Sequence, residues 1–427
     1  MEVKYIFASL LILCANSAHS SDPARIKWKI QFAGSQAEGQ SLSLGHCELL
    51  LQSQELEPML VYSTISTTKV PGSRVSKIES DVRCNLPGCA AKWLEHFGDA
   101  SIRGLLQVSG DQLLVLSEQI GSHYFISFLD LSTGSITRRI AVPGENLKPM
   151  CQLFTDEIGV AHLLVTPYGH ESVVYTIDVL SGVLKDPIRL KIENDRYFLS
   201  QKPAMSKSKI LFVVAGSKPD ITGLKSNLLY AFDQNKKPIW HIGDRDELST
   251  ILSVFVKDEV FVNSLVESYP NGLRHEKVFI IDQNTGNIVY ERDGRLLEIG
   301  DNLFYVFDVI NNDFLAIDIH TKEIKWKKHL FPSKYQKKER FIYEMVAKEI
   351  HNALYLGAAN FSKVGDYHPQ TGIFALNIEN GNELWFLNTA TNPRPFRVQN
   401  ILGLDENSIV VQVRGLGGTQ SIYSIGP

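Results

Sequence analysis

The chain has 427 residues, of which 44% are hydrophobic and 21% charged, a composition typical of a folded globular protein. Its formal net charge of -4 argues against a general nucleic-acid binder, because such proteins are usually basic. The chain is also too long for one simple hydrophobic core.

Residues 1–20 predict a secretory signal peptide. The apolar run YIFASLLILCA follows Lys4, and Ala18 and Ser20 supply small residues at the spacing of a cleavage site. The run is too short to predict a transmembrane helix, and no other stretch is long and apolar enough to span a bilayer. The alternative is a buried N-terminal segment. We expect an exported protein, periplasmic or secreted, whose single mature domain covers residues 21–427.

Cys14 raises the alternative of a bacterial lipid anchor, and with it association with a membrane. Leu13 precedes this cysteine, where the signal for lipidation needs a small residue. We therefore predict that Cys14 is removed with the signal peptide and is not lipidated.

The mature chain keeps four cysteines, and an even number in an exported protein predicts disulfide bonds. Cys84 and Cys89 flank a Pro-Gly turn, which favours a short local bridge, and Cys47 with Cys151 is the pairing left over. Four cysteines allow three connectivities. The alternative, a metal site, lacks a paired CxxC motif or a nearby pair of histidines. Residues 64–91, around the first bridge, predict an irregular segment that projects from the first blade.

A repeated pattern runs through the rest of the chain: an apolar strand, an Asp or Asn, two spacer residues, a turn and a second apolar strand. FIIDQNTGNIVY, from Phe279, is one copy and FLAIDIHTKEIKW, from Phe314, is another. Copies recur roughly every 50 residues, a period that indicates a repeat architecture. The acidic or amide positions are Asp130, Asp178, Asp233, Asp282, Asp318 and Asn377.

These acidic and amide residues predict structural turns. An Asp or Asn side chain accepts hydrogen bonds from backbone N–H groups a residue or two ahead, and the glycines that follow tolerate a positive φ. The alternative for Asp282 is a calcium loop, but the twelfth position of that loop is Asp293 rather than Glu. The glycines are Gly134, Gly182, Gly286 and Gly381.

Large aromatic residues mark the last strand of most copies. One aromatic at the same position of each unit suits packing between neighbouring sheets, and the alternative is an aromatic stripe that binds a ligand. The predicted blade-docking aromatics are Trp28, Trp93, Trp240, Tyr290, Trp326 and Trp385.

The repeats predict an all-β fold with eight units. The strand at Trp28 comes too early to have a unit of its own, and the C-terminal strands lack a partner after them. We therefore expect the N-terminal strand to complete the C-terminal blade of an eight-bladed β-propeller with four-stranded antiparallel blades. The last strands of the eight units are expected near Trp28, Trp93, Arg138, Asp186, Trp240, Tyr290, Trp326 and Trp385.

The segment KWKKHLFPSKYQKKER, residues 325–340, is a basic insertion in a slightly acidic chain. Such a patch suits an acidic partner or anionic lipid, and the alternative is an ordinary solvated loop and strand face. The candidate partner residues are Lys327, Lys328, Lys334, Lys337, Lys338 and Arg340.

The copies LAIDIHTKEIKW and FALNIENGNELW resemble the pyrroloquinoline quinone (PQQ)-like repeat. The resemblance covers nearly all of the mature chain and implies the fold more than the function. The superfamily includes dehydrogenases that hold PQQ and calcium. It also includes non-catalytic propellers such as BamB, a subunit of the outer-membrane β-barrel assembly machinery.

The sequence favours the non-catalytic class. The quinoprotein dehydrogenases use a pair of adjacent cysteines, which this chain lacks, and their catalytic Asp and calcium ligands cannot be placed on its residues. We predict no catalytic, cofactor-binding or metal-binding residues. We expect a monomeric scaffold for protein partners, with outer-membrane protein assembly as the specific role. The alternatives are a PQQ-dependent dehydrogenase and a secreted propeller that binds glycans or surfaces.

Overall fold

In a computed structural model, the elements of regular secondary structure are all β-strands in the part of the chain that the structure describes. The chain divides into two compact units, one of residues 1–99, 297–301 and 325–427 and one of residues 100–296 and 302–324. The described residues are 12–13, 25–32, 40–50, 59–69, 76–85, 91–108, 111–119, 123–143, 150–166, 171–190, 196–199, 203–217, 227–235, 237–243, 250–268, 273–330, 342–361, 371–390, 396–405, 408–415 and 420–426.

The first unit contains three sheets, which we name blades 1, 7 and 8. Blade 1 has β3 (Gln40–Leu50), β4 (Met59–Lys69), β5 (Ser76–Asn85) and β6 (Ala91–His96). Blade 7 has β28 (Ile342–Ile350), β29 (Ala353–Phe361), β30 (Gly372–Asn377) and β31 (Glu383–Asn388). Blade 8 has β32 (Phe396–Asp405), β33 (Ser408–Gly415), β34 (Gln420–Gly426) and β2 (Arg25–Phe32), with the short β1 (Ile12–Leu13) beside β2.

The second unit contains blades 2 to 5. Blade 2 has β7 (Ser101–Gln107), β8 (Gln112–Gln119), β9 (His123–Asp130) and β10 (Ile136–Ala141). Blade 3 has β11 (Met150–Thr155), β12 (Ala161–Thr166), β13 (Ser172–Asp178) and β14 (Val183–Leu190). Blade 4 has β15 (Arg196–Leu199), β16 (Ala204–Met205), β17 (Leu211–Ser217), β18 (Asn227–Phe232) and β19 (Pro238–Gly243). Blade 5 has β20 (Thr250–Lys257), β21 (Glu259–Ser268), β22 (Leu273–Ile281) and β23 (Ile288–Asp293).

Blade 6 is divided between the two units. It has β24 (Arg295–Ile299), β25 (Leu303–Asp308), β26 (Asp313–Asp318) and β27 (Ile324–His329), paired in that order.

Blade 8 is completed by the N-terminal strand. Its strands follow the order β2-β34-β33-β32, and the antiparallel pairing of β2 with β34 sets Ile26 opposite Ile425 and Ile30 opposite Ile422. The predicted fold is therefore confirmed: an eight-bladed β-propeller in which the N-terminal strand belongs to the C-terminal blade. The eight predicted last strands are β2, β6, β10, β14, β19, β23, β27 and β31.

Burial explains why inner and outer strands have different sequences. In blade 2 the second strand, β8, has a continuous buried run from Leu113 to Ser117, so both of its faces are covered. In blade 5 the outer strand β23 alternates between half-buried and exposed residues, as expected when one face meets solvent. Within each unit, apolar clusters lie between neighbouring blades. One cluster joins Leu116 and Phe128 of blade 2 to Leu153 and Leu163 of blade 3.

A bulge recurs where the third and fourth strands pair. In blades 4, 5 and 7 the extra residue of the fourth strand is Ile239, Val289 or Leu384, directly before the aromatic docking position. A bulge bends the strand and re-aims the next side chain. The repeated bulge therefore sets the direction of the docking residue, and it leaves the bulged residue exposed.

In blade 1 the structure differs from the prediction of an irregular segment at residues 64–91. Residues 64–69 and 76–85, expected to be irregular, are regular strand, and Thr64 of β4 pairs with Asp81 of β5. Here β3, β4 and β5 are longer than β6, which pairs only with the part of β5 from Asp81 to Asn85. The Thr and Ile residues of TISTTK suit an extended strand, because β-branched side chains favour it.

Candidate functional site

The recurring acidic residues hold the turns between the third and fourth strands. Asp282 Oδ1 accepts hydrogen bonds from the backbone N–H of Asn284 at 3.0 Å and of Thr285 at 2.8 Å. The same oxygen of Asp130, Asp178 and Asp318 accepts from the second and third residues after it. In blade 7 Asn377 accepts from Glu379, and in blade 4 Asp233 accepts from Lys237.

These hydrogen bonds stabilise the charged form of the carboxyl groups. The N–H and hydroxyl of Thr285 lower the pKa of Asp282, and Ser132 and Thr133 lower that of Asp130. Lys185, followed by Ser181, lowers the pKa of Asp178. Each carboxylate thus accepts hydrogen bonds from its own turn, and Asp178 also accepts one from Lys185 of β14.

Two tryptophans dock onto the turn of the following blade. Trp240, on the last strand of blade 4, donates from Nε1 to the carbonyl of Gln283 in the blade 5 turn at 2.9 Å. Trp326 donates in the same way to the carbonyl of Ile378 in the blade 7 turn at 2.7 Å. Each indole thus satisfies its only donor while its ring covers the turn.

The glycine of each of these turns is required by both backbone and space. Gly286 has a φ of 73° and Gly381 a φ of 71°. A Cβ built on Gly286 would lie 2.7 Å from Trp240 Cδ2, and one on Gly381 would lie 2.6 Å from Trp326 Cε3. Only glycine allows the indole to approach the turn this closely.

The other docking positions vary. Tyr290 of blade 5 packs edge-on against Phe304 of blade 6, with ring centroids 5.9 Å apart. Trp385 of blade 7 is buried with Phe396 and Val398 of blade 8. Trp93 is half-buried in β6. Trp28 lies on β2, but its side chain is outside the described residues.

Blades 2 and 3 use no aromatic residue at this position. Arg138 of blade 2 donates to the carbonyl of Ser181 in the blade 3 turn and lies against Gly182. In blade 3 the position is Asp186, which is exposed and has a φ of 50°.

The predicted disulfides are not present in the structure. Cys84 and Cys151 are free thiols, and each of the two predicted bridges needs one of them. Cys84 is fully buried in β5, and burial raises its pKa to about 12; burial also raises the pKa of Cys151. The side chain of Cys47 and the whole of Cys89 lie outside the described residues. The two thiols occupy apolar positions between strands, where they pack as small apolar groups.

Most of the predicted basic patch also lies outside the described residues, namely Lys334, Lys337, Lys338 and Arg340. Lys327 is exposed on β27. Lys328 forms an ion pair with Glu383 of β31 at 3.2 Å and lies 5.9 Å from the ring centroid of Phe374. This lysine therefore contributes to the contact between blades 6 and 7.

The described residues offer neither a metal site nor a membrane-spanning helix. Across the described ranges, His, Cys, Asp and Glu side chains form no group of three or more that could hold a metal ion. No described helix has the length and apolar character needed to cross a membrane.

Blade 3 carries a group of exposed aliphatic residues that no repeat pattern predicted. Ile158 and Val160 lie in the turn between its first two strands, and Leu180 and Val183 lie in the turn between its last two. The sequence did contain one indication of this group. Leu180 is an aliphatic residue at a turn position where blades 2 and 5 have the polar residues Ser132 and Asn284.

No family model matches the sequence, and no curated protein matches it. Among solved structures, it is similar to the dihydro-heme d1 dehydrogenase NirN in complex with DHE, with 13% identity, a TM-score of 0.48 and coverage of 81% of this chain and 67% of that one. Sqt1 of Saccharomyces cerevisiae has 12% identity and a TM-score of 0.49, with coverage of 90% and 95%. The β-propeller domain of the Trilobed protease from Pyrococcus furiosus has 9% identity and a TM-score of 0.42, with coverage of 76% and 95%. These similarities are too low to carry an inference about function.

Proposed function

We propose that this chain is a non-catalytic, exported β-propeller that acts as a scaffold for protein partners. Its specific role in this proposal is outer-membrane protein assembly, in the periplasm or at the membrane surface. The export part rests on the signal-like residues 1–20, and the assembly part rests on the resemblance of the repeats to the PQQ-like superfamily.

The observation that carries the proposal is how the repeated acidic residues are used. They are the most regular polar feature of the chain, and in the structure their oxygens accept hydrogen bonds from their own turns. The docked tryptophans then fix one blade on the next. Repeated residues with these roles support a rigid frame, and loops on a rigid frame are where proteins usually place recognition.

The test is a native affinity purification from the envelope fraction of the source organism, with an absorbance spectrum of the purified protein. We expect subunits of the β-barrel assembly machinery in the eluate and a spectrum without a cofactor band. A quinone band, or dye-linked alcohol oxidation after addition of PQQ and calcium, would overturn the proposal in favour of a dehydrogenase. Retention on glycan arrays without a protein partner would favour a glycan-binding propeller instead.

A variant tests the predicted basic patch within the same experiment. Glutamate replaces Lys334, Lys337 and Lys338 together, and Lys237→Glu, in the exposed turn of blade 4, is the control. If the patch meets an acidic partner, the triple variant loses that partner and the control keeps it. Equal recovery from both variants would remove the patch from the proposal.

A further inference from the structure

Blade 3 exposes four aliphatic side chains along one edge. The exposed fractions are 93% for Leu180, 61% for Ile158, 49% for Val183 and 36% for Val160. We call these four residues the apolar edge of blade 3. Single exposed aliphatic residues are common on proteins, but a contiguous group of them indicates an interaction surface.

Strand register places the four residues together. The turn of residues 156–160 joins β11 to β12, and the turn of residues 179–182 joins β13 to β14. His162 of β12 pairs with Thr176 of β13. In an antiparallel pair, extension of this register by two residues places Val160 opposite Asp178. Both turns therefore lie at the same end of the sheet, separated by one strand-to-strand step.

In blades 2 and 5 the turn between the last two strands carries polar residues instead. Leu180 is the second residue after the turn carboxylate, where blade 2 has Ser132 and blade 5 has Asn284. Val183 follows the turn glycine, where blade 5 has Asn287. The fold does not need aliphatic side chains here, since the same turn hydrogen bonds form without them.

Cations flank the apolar edge on both sides. On one side Arg138 of blade 2 contacts the turn at Ser181 and Gly182. On the other side the turn of residues 206–210 in blade 4 is bound to blade 3, where Lys207 N–H donates to Glu157 Oε2 at 2.7 Å. Lys209 of this turn is exposed.

The carboxylates of the two turns are already engaged. Asp178 accepts from Lys185 and from its own turn, and Glu157 accepts the N–H of Lys207. Within the described ranges, no carboxylate pairs with Arg138 or Lys209. An incoming carboxylate would therefore find, on each side of the aliphatic residues, a cation that no described carboxylate pairs with.

We propose that the apolar edge of blade 3 binds a protein segment with aliphatic or aromatic side chains at its centre and carboxylates on either side. The central side chains contact Leu180, Ile158 and their neighbours, and the carboxylates meet Arg138 and Lys209. This inference rests on the proposed scaffold function and specifies the chemistry of one partner.

Two other occupants are weaker fits. A second copy of this chain that docked through the same edge would bring the same cations to the interface, where like charges repel. An anionic membrane surface would match the cations, but the edge lacks the aromatic residues that usually anchor a protein at a bilayer interface. The experiment separates all three.

The test places a photo-crosslinking residue, p-benzoylphenylalanine, at Leu180 of the full chain in the source organism. The matched control carries it at Asn284, the same turn position in blade 5, which is also exposed. We expect an adduct at position 180 that is absent at 284, and mass spectrometry of the joined peptide should show apolar residues flanked by Asp or Glu. An adduct with this chain itself, an adduct with lipid, or no adduct beyond the control overturns the inference.

A substitution separates this inference from the proposed function. Leu180→Asp should reduce recovery of the crosslinked partner by about tenfold or more, while Asn284→Asp leaves it unchanged. Leu180 is nearly fully exposed, so its substitution leaves the unfolding temperature close to that of the wild type. If the wild type recovers a partner and Leu180→Asp recovers it equally, the scaffold function stands and this inference fails. If the wild type recovers no partner, the proposed function itself fails.

Discussion

Blades 3 and 5 contain the same kind of turn, but different residues of the preceding blade contact it. In both, an Asp accepts the N–H groups of the second and third residues after it, and a glycine with positive φ follows. The blade 5 turn is polar and is covered by Trp240 of blade 4. The blade 3 turn is partly aliphatic and meets Arg138 of blade 2. The turn is thus specified by its Asp and Gly, and the positions between them are free to carry surface chemistry.

The largest expected difference in stability between the two turns comes from the residue that docks on each of them. Trp240→Ala removes a half-buried ring and a hydrogen bond to Gln283, so we expect a loss of about 2–3 kcal/mol in the free energy of unfolding. Arg138→Ala removes an exposed side chain, and the expected loss is under about 1 kcal/mol. Urea denaturation of both variants measures the difference. Equal losses would show that aromatic docking gives no extra stability.

Substitution of the turn glycine should also destabilise the chain more in blade 5 than in blade 3. Gly286→Ala places a Cβ 2.7 Å from the indole of Trp240, in addition to a strained positive φ, so we expect a loss of about 2 kcal/mol. At Gly182 the new Cβ meets the flexible side chain of Arg138, which can move away, and the expected loss is about 1 kcal/mol.

Gly159→Ala is the control for backbone strain alone. This glycine has a φ of 84°, and no heavy atom lies within 4 Å of its Cβ position. Its unfolding midpoint should match that of Gly182→Ala. If Gly286→Ala were no worse than Gly159→Ala, the indole would not constrain the turn.

A smaller effect concerns pH. The pKa of Asp282 is lowered in the folded chain, so its contribution is present above the unfolded value of about 3.9 and is lost as the pH falls through the folded value. Asp282→Asn keeps an acceptor, as Asn377 does in blade 7, but cannot titrate. We expect the unfolding temperature of this variant to fall less than that of the wild type below about pH 4. Parallel curves for the two proteins would contradict this role of Asp282.

The smallest expected effect is a titration beside the apolar edge of blade 3. Burial lowers the pKa of His162, Asp156 opposes that shift, and Lys209 adds to it. The ring also lies 3.4 Å from Thr176 Oγ1. An NMR titration of the ring should give a lower pKa in Asp156→Asn and a higher one in Lys209→Ala. Shifts of the same sign in both variants would mean that burial changes outweigh the two charges.

Much of the fold could be predicted because its signals are local and repeated. The spacing from each turn acid or amide to the strand after it identified the fourth strands of blades 2 to 7, including β14, where Asp186 replaces the aromatic residue. The early strand at Trp28 predicted that β2 would complete blade 8. By contrast, residues 64–69 were mistaken for irregular chain, because Thr and Ser are common in loops as well as in strands.

The sequence alone determined the number of blades, the turns and the place of the N-terminal strand, since each depends on residues a few positions apart. Only the tertiary structure decided which side chains meet between blades. It placed Trp240 on Gly286 and paired Lys328 with Glu383. It also left Cys84 and Cys151 as buried free thiols and paired His162 with Thr176 in blade 3. These contacts depend on how whole strands and sheets pack against one another, which no short stretch of sequence records.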